Sequence, residues 1–402
     1  MSVLMIIGTV GLMFGSGGSA LIAKFMGMKE DKKARKVFSQ LTYTLVILSI
    51  IICILGYLFM PNILHMLGAN GVMFDEALVY GKISLLGMTF FILQYYFQAL
   101  MITAGHPTLN FMVTIGAGIT NMVLDYVFIV LFGWGVSGAA LATISGQFLG
   151  GMIPIAYFAF NRKGTLYLGQ AAAQLSNLWQ TCLNGASELM TNLSQSLIGI
   201  LFNWQLLRLA GEDGVASYGV LMYVSMIFGA FFYGYSIGIA LVISYKYGAN
   251  DKKQLHELYT RSIWIVLIIS LGMFALAEIL APALSDLFTG YDQGLYEMTL
   301  EGFYIFSFAF LAFGISVFGS AFFTALNNGP ISALISFVRT VIFQVIFILI
   351  LPQFLGIIGI WLSVPAAELF AALMTCYLFK KYEGKYGYGS FFGSARRSES
   401  RL

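Results

Sequence analysis

The sequence predicts an all-α integral membrane protein whose two halves repeat each other. Three observations lead there. Of 402 residues, 59% are hydrophobic and only 10% charged, far too little charged surface for a globule in water. Apolar stretches of about 20 residues, enough for a helix to cross ~30 Å of hydrocarbon, recur along nearly the whole length, with none of the short alternating segments of a barrel. Segments of the first half also reappear in the second, running in the same direction.

Eleven spans are expected, over residues 1–26, 37–60, 78–104, 108–132, 136–160, 174–208, 215–248, 256–286, 297–327, 331–352 and 356–381. Orientation follows from the basic residues, which stay on the cytoplasmic side. Lys24, Lys29, Lys32, Lys33, Arg35 and Lys36 follow the first span, and Arg162 and Lys163 the fifth. Lys246, Lys252, Lys253 and Arg261 surround the next such loop, and Lys380, Lys381, Lys385, Arg396, Arg397 and Arg401 form the tail. The alternate loops carry Asp75, Glu76, Glu212, Asp213, Asp286, Asp292 and Glu297 and face outward. The basic loops and C-terminus are thus cytoplasmic, in a membrane of the bacterial inner type. The net charge of +3 reflects this bias and gives nucleic-acid binding no support.

Met1 opens almost inside an apolar span whose positive charges all follow it, beginning at Lys24. That is not the pattern of a signal peptide, which needs a basic start. The odd number of spans and this start together suggest that one helix of a twelve-helix design is missing.

The repeat is clearest in two places. "GGSALIAKFMGMKEDKKARKVFSQ" (17–40) resembles "IGIALVISYKYGANDKKQLHELYT" (237–260), and 98–143 resembles 320–363, with Pro107 matching Pro330 and Gly138 matching Gly359. Parallel repeats of this kind are a transporter architecture, with substrate held between the halves. The sixth span, 174–208, has no partner in the first half, so the intact design would be six plus six. The expected organisation is an N-terminal lobe at 1–160, a cytoplasmic linker at 161–173 long enough to let the lobes rock, a C-terminal lobe at 174–382, and a tail at 383–402. That tail is rich in Gly, Ser and Arg and is expected to be disordered.

Polar residues inside the spans are the candidate functional groups, because ionisable groups in hydrocarbon are costly. Asn121 and Asp125 lie one turn apart on one helix face. Thr143 lies as far beyond the next turn as Asp125 lies before it, ~12 Å deep on the neighbouring helix. One carboxylate, one amide oxygen and one hydroxyl can converge there, a set that suits Na⁺ or a carboxyl that takes up a proton. The alternative is a packing device in which Asn121 and Thr143 satisfy a protonated Asp125.

The sixth span carries Asn184, Glu188, Thr191, Asn192 and Gln195 along one stripe, with Glu188 ~21 Å in from its cytoplasmic start. Such a stripe lines a cavity or binds a neighbouring helix. Gln94 and Gln98 flank the aromatic run "QYYFQ", which suits organic cations through cation–π contact and hydrogen bonding, or else packs at an interface. Arg339 and Glu368 fall at similar depth on adjacent antiparallel helices and read as a buried ion pair, while Glu278 reads as interfacial. Gly11 and Gly15, Gly146 and Gly150, and Gly234 and Gly238 have the spacing of close helix approach. "GSGG" at 15–18 lacks the ending of a phosphate loop. The scattered Cys53, Cys182 and Cys376, and His65, His106 and His256, make no metal or redox site, so no cofactor is expected.

"NMVLDYVFIVLFGWGVSGAALAT", "GSGGSALIAKFMG" before a basic loop, "NGASELMTNLS" and "AGEDGVASYGV" resemble segments of multidrug and toxic compound extrusion (MATE) transporters, and the likeness covers essentially residues 1–382. It implies a two-lobed, twelve-helix antiporter that exports amphipathic, often cationic small molecules in exchange for Na⁺ or H⁺, and is not an enzyme. A monomer in the lipid bilayer is expected. In one branch of the family the first-lobe cation site uses an Asp of the first helix with an Asn, an Asp and a Thr, and the last three match Asn121, Asp125 and Thr143. The first-helix Asp has no counterpart here. The second-lobe acids of another branch fall nearer Asn192 and Phe313, leaving Glu188 one turn earlier as a substrate or proton partner. A flippase for lipid-linked sugars and an inactive truncated transporter are the alternative readings.

Overall fold

Residues 2–66 and 71–389 are described by the computed structural model. The expected tail therefore falls mostly outside them, at 390–402. Among the described residues every regular element is a helix, which is how a chain in lipid satisfies its backbone without water.

The first half comprises α1 (Ser2–Gly27), α2 (Asp31–Met66), α3 (Val72–Leu86), α4 (Met88–Thr103), α5 (Pro107–Asp125), continued by a π-helical turn (Tyr126–Leu131), and α6 (Gly135–Phe160). The second half comprises α7 (Leu175–Gly248), α8 (Lys252–Thr289), α9 (Gln293–Ser307), α10 (Ala309–Ala325), α11 (Gly329–Phe337), a second π-helical turn (Val338–Phe343), α12 (Gln344–Leu355) and α13 (Ile357–Tyr386). Two pairs of helices meet at a sharp bend, α3 with α4 by 52° and α9 with α10 by 47°. Counting each pair once gives up to 10 apolar spans among the described residues. The 74-residue α7 is two helices joined at Gly211, whose φ of +64° most side chains would resist. Divided there, it supplies the eleventh.

The two halves repeat not only in sequence but in hydrogen bonding. After α1, the amides of Lys29 and Glu30 bond the carbonyls of Met26 and Phe25; after α7, those of Asn250 and Asp251 bond Tyr247 and Lys246. After α4 and α10 the same paired closure recurs at Gly105 and His106 and at Asn327 and Asn328. Lys29, Asn250 and Asn327 all hold positive φ, the left-handed cap that ends a helix sharply. A proline then begins α5 and stands within the first turn of α11, where a missing amide proton costs nothing.

The chain divides into two compact units, 1–185 and 186–402. In the first, α1 lies along α4 through a glycine stripe. A Cβ on Gly11 would strike the Ile92 carbonyl, and one on Gly15 would lie 3.1 Å from the Tyr96 carbonyl oxygen. On α6, a Cβ at Gly146 would sit 2.7 Å from the Ala117 carbonyl, and one at Gly151 the same distance from that of Phe90. Backbone thus meets backbone, the closest approach helices can make. Phe38, Tyr96, Phe97 and Phe158 fill the centre of this unit. The second unit has two aromatic centres, one around Phe202 and Trp361 and one around Phe318, Phe322 and Phe379.

Three expectations are corrected. Gly234 and Gly238 have nothing within 4 Å of a built Cβ, so that pair does not mark a helix contact. The 161–173 segment, expected as a linker, is held against α2. Its Tyr167 hydroxyl accepts a 2.6 Å bond from Arg35, the Ala172 amide bonds the Lys36 carbonyl and the Gly169 amide bonds the Ser39 hydroxyl, all on α2. The division instead falls inside α7, whose opening turns pack on the first unit with Gly17 against the Thr181 carbonyl. The last helix also runs beyond 382 to Tyr386, and Tyr388 is buried with its hydroxyl 2.6 Å from the Phe379 carbonyl.

The glycine seam gives the first test. Gly11→Val should cost about 1–3 kcal/mol or more, because backbone cannot step aside as a side chain can. Gly234→Ala should stay within about 0.5 kcal/mol of the parent. Thermal unfolding in detergent, followed by near-ultraviolet circular dichroism, compares the two.

Candidate functional site

Asn121 and Asp125 sit in the last turn and a half of α5, immediately before the π-helical turn. An extra residue in a turn rotates the remainder of the helix, and such bulges gather at functional sites. The register against α6 is fixed by small residues. Gly146 faces Ala117 and Asn121, its built Cβ 3.2 Å from that of Asn121, and Gly138 faces Phe128 with its built Cβ 3.0 Å from the Phe128 Cβ. Asp125 lies between these levels, opposite the stretch of α6 that holds Thr143. The Thr143 hydroxyl itself donates to the Ala139 carbonyl at 2.9 Å, within its own helix.

Asp125 is half-buried and, among the described residues, makes no hydrogen bond and no ion pair. Its charge reaches the Tyr80 phenol on α3, a neighbour that sequence reasoning missed. Tyr80 precedes the bend at Gly87, and only the folding of α3 against α6 brings it near; no spacing in the sequence announces it.

The aromatic run on α4 divides. Tyr96 and Phe97 are fully buried, and the Tyr96 hydroxyl is 3.0 Å from that of Thr42. Gln94 rests against Gly150 of α6, and the carbonyl of Gln98 accepts a 3.2 Å bond from the Asn110 amide. The two amides and Tyr95 keep partial exposure while Tyr96 and Phe97 are core.

In the second unit Arg339, within the second π-helical turn, meets Glu368 of α13. Its Nε donates to both carboxylate oxygens, at 3.0 and 3.1 Å. The Arg339 side chain is 6% exposed and that of Glu368 1%. The guanidinium also donates to the Tyr233 hydroxyl at 3.4 Å and lies over the Phe313 ring at 4.5 Å. Glu188 is half-buried, and its charge reaches Arg339 without an ion pair between them. Asn192 donates its amide to the Glu188 carbonyl at 2.9 Å, so it is turned along its own helix. No group of three or more His, Cys, Asp or Glu that could hold a metal occurs among the described residues.

Together these features describe a multi-pass helical membrane protein of two like units, with intramembrane carboxylates in each. The MatE family model matches residues 1–127 and 189–350, and the chain belongs to that family. Relatives include the "Multidrug export protein MepA" of Staphylococcus saprophyticus, 24% identical over 370 residues, which span 90% of this chain and 80% of that protein. The protein of the same name from Staphylococcus aureus strain NCTC 8325 is 23% identical over 366 residues, with the same coverage. Among solved structures, a MATE crystallised with MaL6 superposes with a TM-score of 0.91 at 21% identity, over 96% of this chain and 87% of that one. An outward-facing multidrug resistance MATE transporter follows at 0.88 and 22%, covering 96% and 86%. These superpositions establish the fold.

The ion pair gives a test of its own. Glu368→Gln should destabilise the second unit by about 3–5 kcal/mol, because it strands a buried guanidinium. Pairing it with Arg339→Met should return most of that loss. A double-mutant cycle of thermal unfolding measures the coupling.

Proposed function

We propose that the chain is a secondary antiporter that exports amphipathic, cationic small molecules in exchange for Na⁺ or H⁺, with Asp125 as the coupling ligand. The observation that carries this reading is the Asp125 carboxylate, without an ion pair among the described residues, within an apolar span. A carboxylate in that position is stable only when something positive joins it. Asn121, one turn earlier on the same face, and Thr143, on the facing stretch of α6, offer the neutral oxygens a monovalent cation needs. The names of the staphylococcal relatives, multidrug export proteins, support the substrate class.

Loading Asp125 removes a charge from lipid and so favours one arrangement of the first unit; losing the ion favours another. A ligand shifts such an equilibrium only by its differential affinity for the two arrangements, and a charge in hydrocarbon makes that difference large. In the second unit the half-buried Glu188 is the acid offered to a cationic substrate, while Arg339 and Glu368 neutralise each other and hold their helices together. Gln94 and Gln98 are the hydrogen-bonding groups that the first unit offers to substrate. The basic loops and C-terminus lie in the cytoplasm on this reading, as the positive-inside bias requires.

Asp125→Asn is the decisive variant. Reconstituted into vesicles with an imposed Na⁺ or proton gradient, it should lose gradient-driven export of a fluorescent organic cation at least about tenfold while still binding that cation. Whichever gradient drives the parent chain names the coupling ion. Export by the Asn variant with unchanged cation dependence would refute the assignment.

A further inference from the structure

Glu278 reads from the sequence as interfacial, yet its carboxylate accepts a hydrogen bond from the Ser307 hydroxyl, and Ser307 is the last residue of α9, one step before the bend into α10. The same hydroxyl stands 2.9 Å from the Tyr304 carbonyl oxygen. A serine has one hydrogen to give and here has two acceptors. With the carboxylate ionised, three oxygens share one proton and a position for one positive charge is left over.

No basic side chain among the described residues supplies that charge, and Glu278 has no ion pair among them. On α8 the basic residues Lys252, Lys253, His256 and Arg261 all lie in the first three turns, the last ~25 Å away along the axis. Against α8 pack α9, whose charged residues are Glu297 and Glu301, and α10, which has none. The 212–248 part of α7 carries Glu212 and Asp213 at one end and Lys246 at the other. The α13 lysines lie beyond Phe379, which touches α8 at Tyr259, near the helix start.

We infer that Glu278, the Ser307 hydroxyl and the Tyr304 carbonyl form a binding site for one monovalent cation, a proton or Na⁺, built on the hinge of the α9–α10 span. A single carboxylate with neutral oxygens suits one positive charge and not a divalent ion. With a proton, Glu278 donates to the Ser307 oxygen and Ser307 donates to the Tyr304 carbonyl. When the proton leaves to water, the serine hydrogen turns to the carboxylate and the Tyr304 carbonyl loses its partner. Na⁺ would draw the same three oxygens together. Either ion ties the end of α9 to α8 beside a bend of 47°, so occupancy and bend angle are linked. This gives the second unit an ion site of its own, where the repeat partner of Asp125 is the fully buried Ile348.

The test uses the purified full chain and Glu278→Gln. Bound protons are counted by titration, and Na⁺ binding is followed by calorimetry at fixed pH. The parent should release one more proton, or bind one more Na⁺, than the Gln variant, and the two arms separate the ions. On loading, hydrogen exchange at residues 304–311 should slow in the parent and not in Glu278→Gln. Ser307→Ala, which keeps the carboxyl, should weaken the binding about tenfold and guards against a Gln variant that does not fold. Asp125→Asn should leave this exchange unchanged, so its failure and that of the coupling assignment are distinguishable. Equal proton release and equal Na⁺ binding in parent and Glu278→Gln, or a Ser307→Ala chain that binds as the parent does, overturns the inference.

Discussion

A charge in hydrocarbon has no water to solvate it, and four carboxylates within the apolar helices of this protein meet that constraint to different degrees. Glu368 meets it completely, with Arg339 gripping both its oxygens and Phe313 covering the guanidinium. Glu278 meets it in part, through the Ser307 hydroxyl. Asp125 and Glu188 have no ion pair among the described residues and keep partial exposure. The series runs from a cross-link toward groups without an ion pair among the described residues. Function is expected at the unsatisfied end, because a fully paired group has nothing to gain from a transported ion.

The backbone supplies the frame for those groups. Lipid gives helices no hydrophobic reason to associate, so contact must come from close fit. Glycines on α1 and α6 let carbonyls approach where a methyl group would collide. Such seams cannot deform, and motion is therefore expected at irregular places: the bends between α3 and α4 and between α9 and α10, and the two π-helical turns. Asp125 borders one π turn, Arg339 lies inside the other, and Ser307 ends at a bend. Ionisable or hydroxyl-bearing residues thus stand where the backbone departs from regular helix.

Much of this was legible in the residues. The number of spans, the repeat and the Arg339–Glu368 proximity all follow from hydrophobic length, charge alternation and counting along helices of constant rise. The register of α5 on α6 was also close, because a short turn fixes the depth of both partners. Other features were not legible for definite reasons. Tyr80 comes within electrostatic range of Asp125 only through the packing of distant helices. The 161–173 segment looks like a tether in composition, yet its polar groups find specific partners on α2. Gly234 and Gly238 share the spacing of Gly11 and Gly15 but face open space, since spacing states which residues share a face and not what lies opposite.

The sequence by itself therefore determined that the chain spans the membrane repeatedly and as two like halves, because those properties depend on local hydrophobicity and on the repetition of its pattern. Only the tertiary structure decided which carboxylates find partners. Glu278 shows the difference. Its neighbours along α8 mark it as one acid near the end of an apolar helix, and the hydroxyl that meets it belongs to a bend in another span, a position that exists only once α8, α9 and α10 have packed.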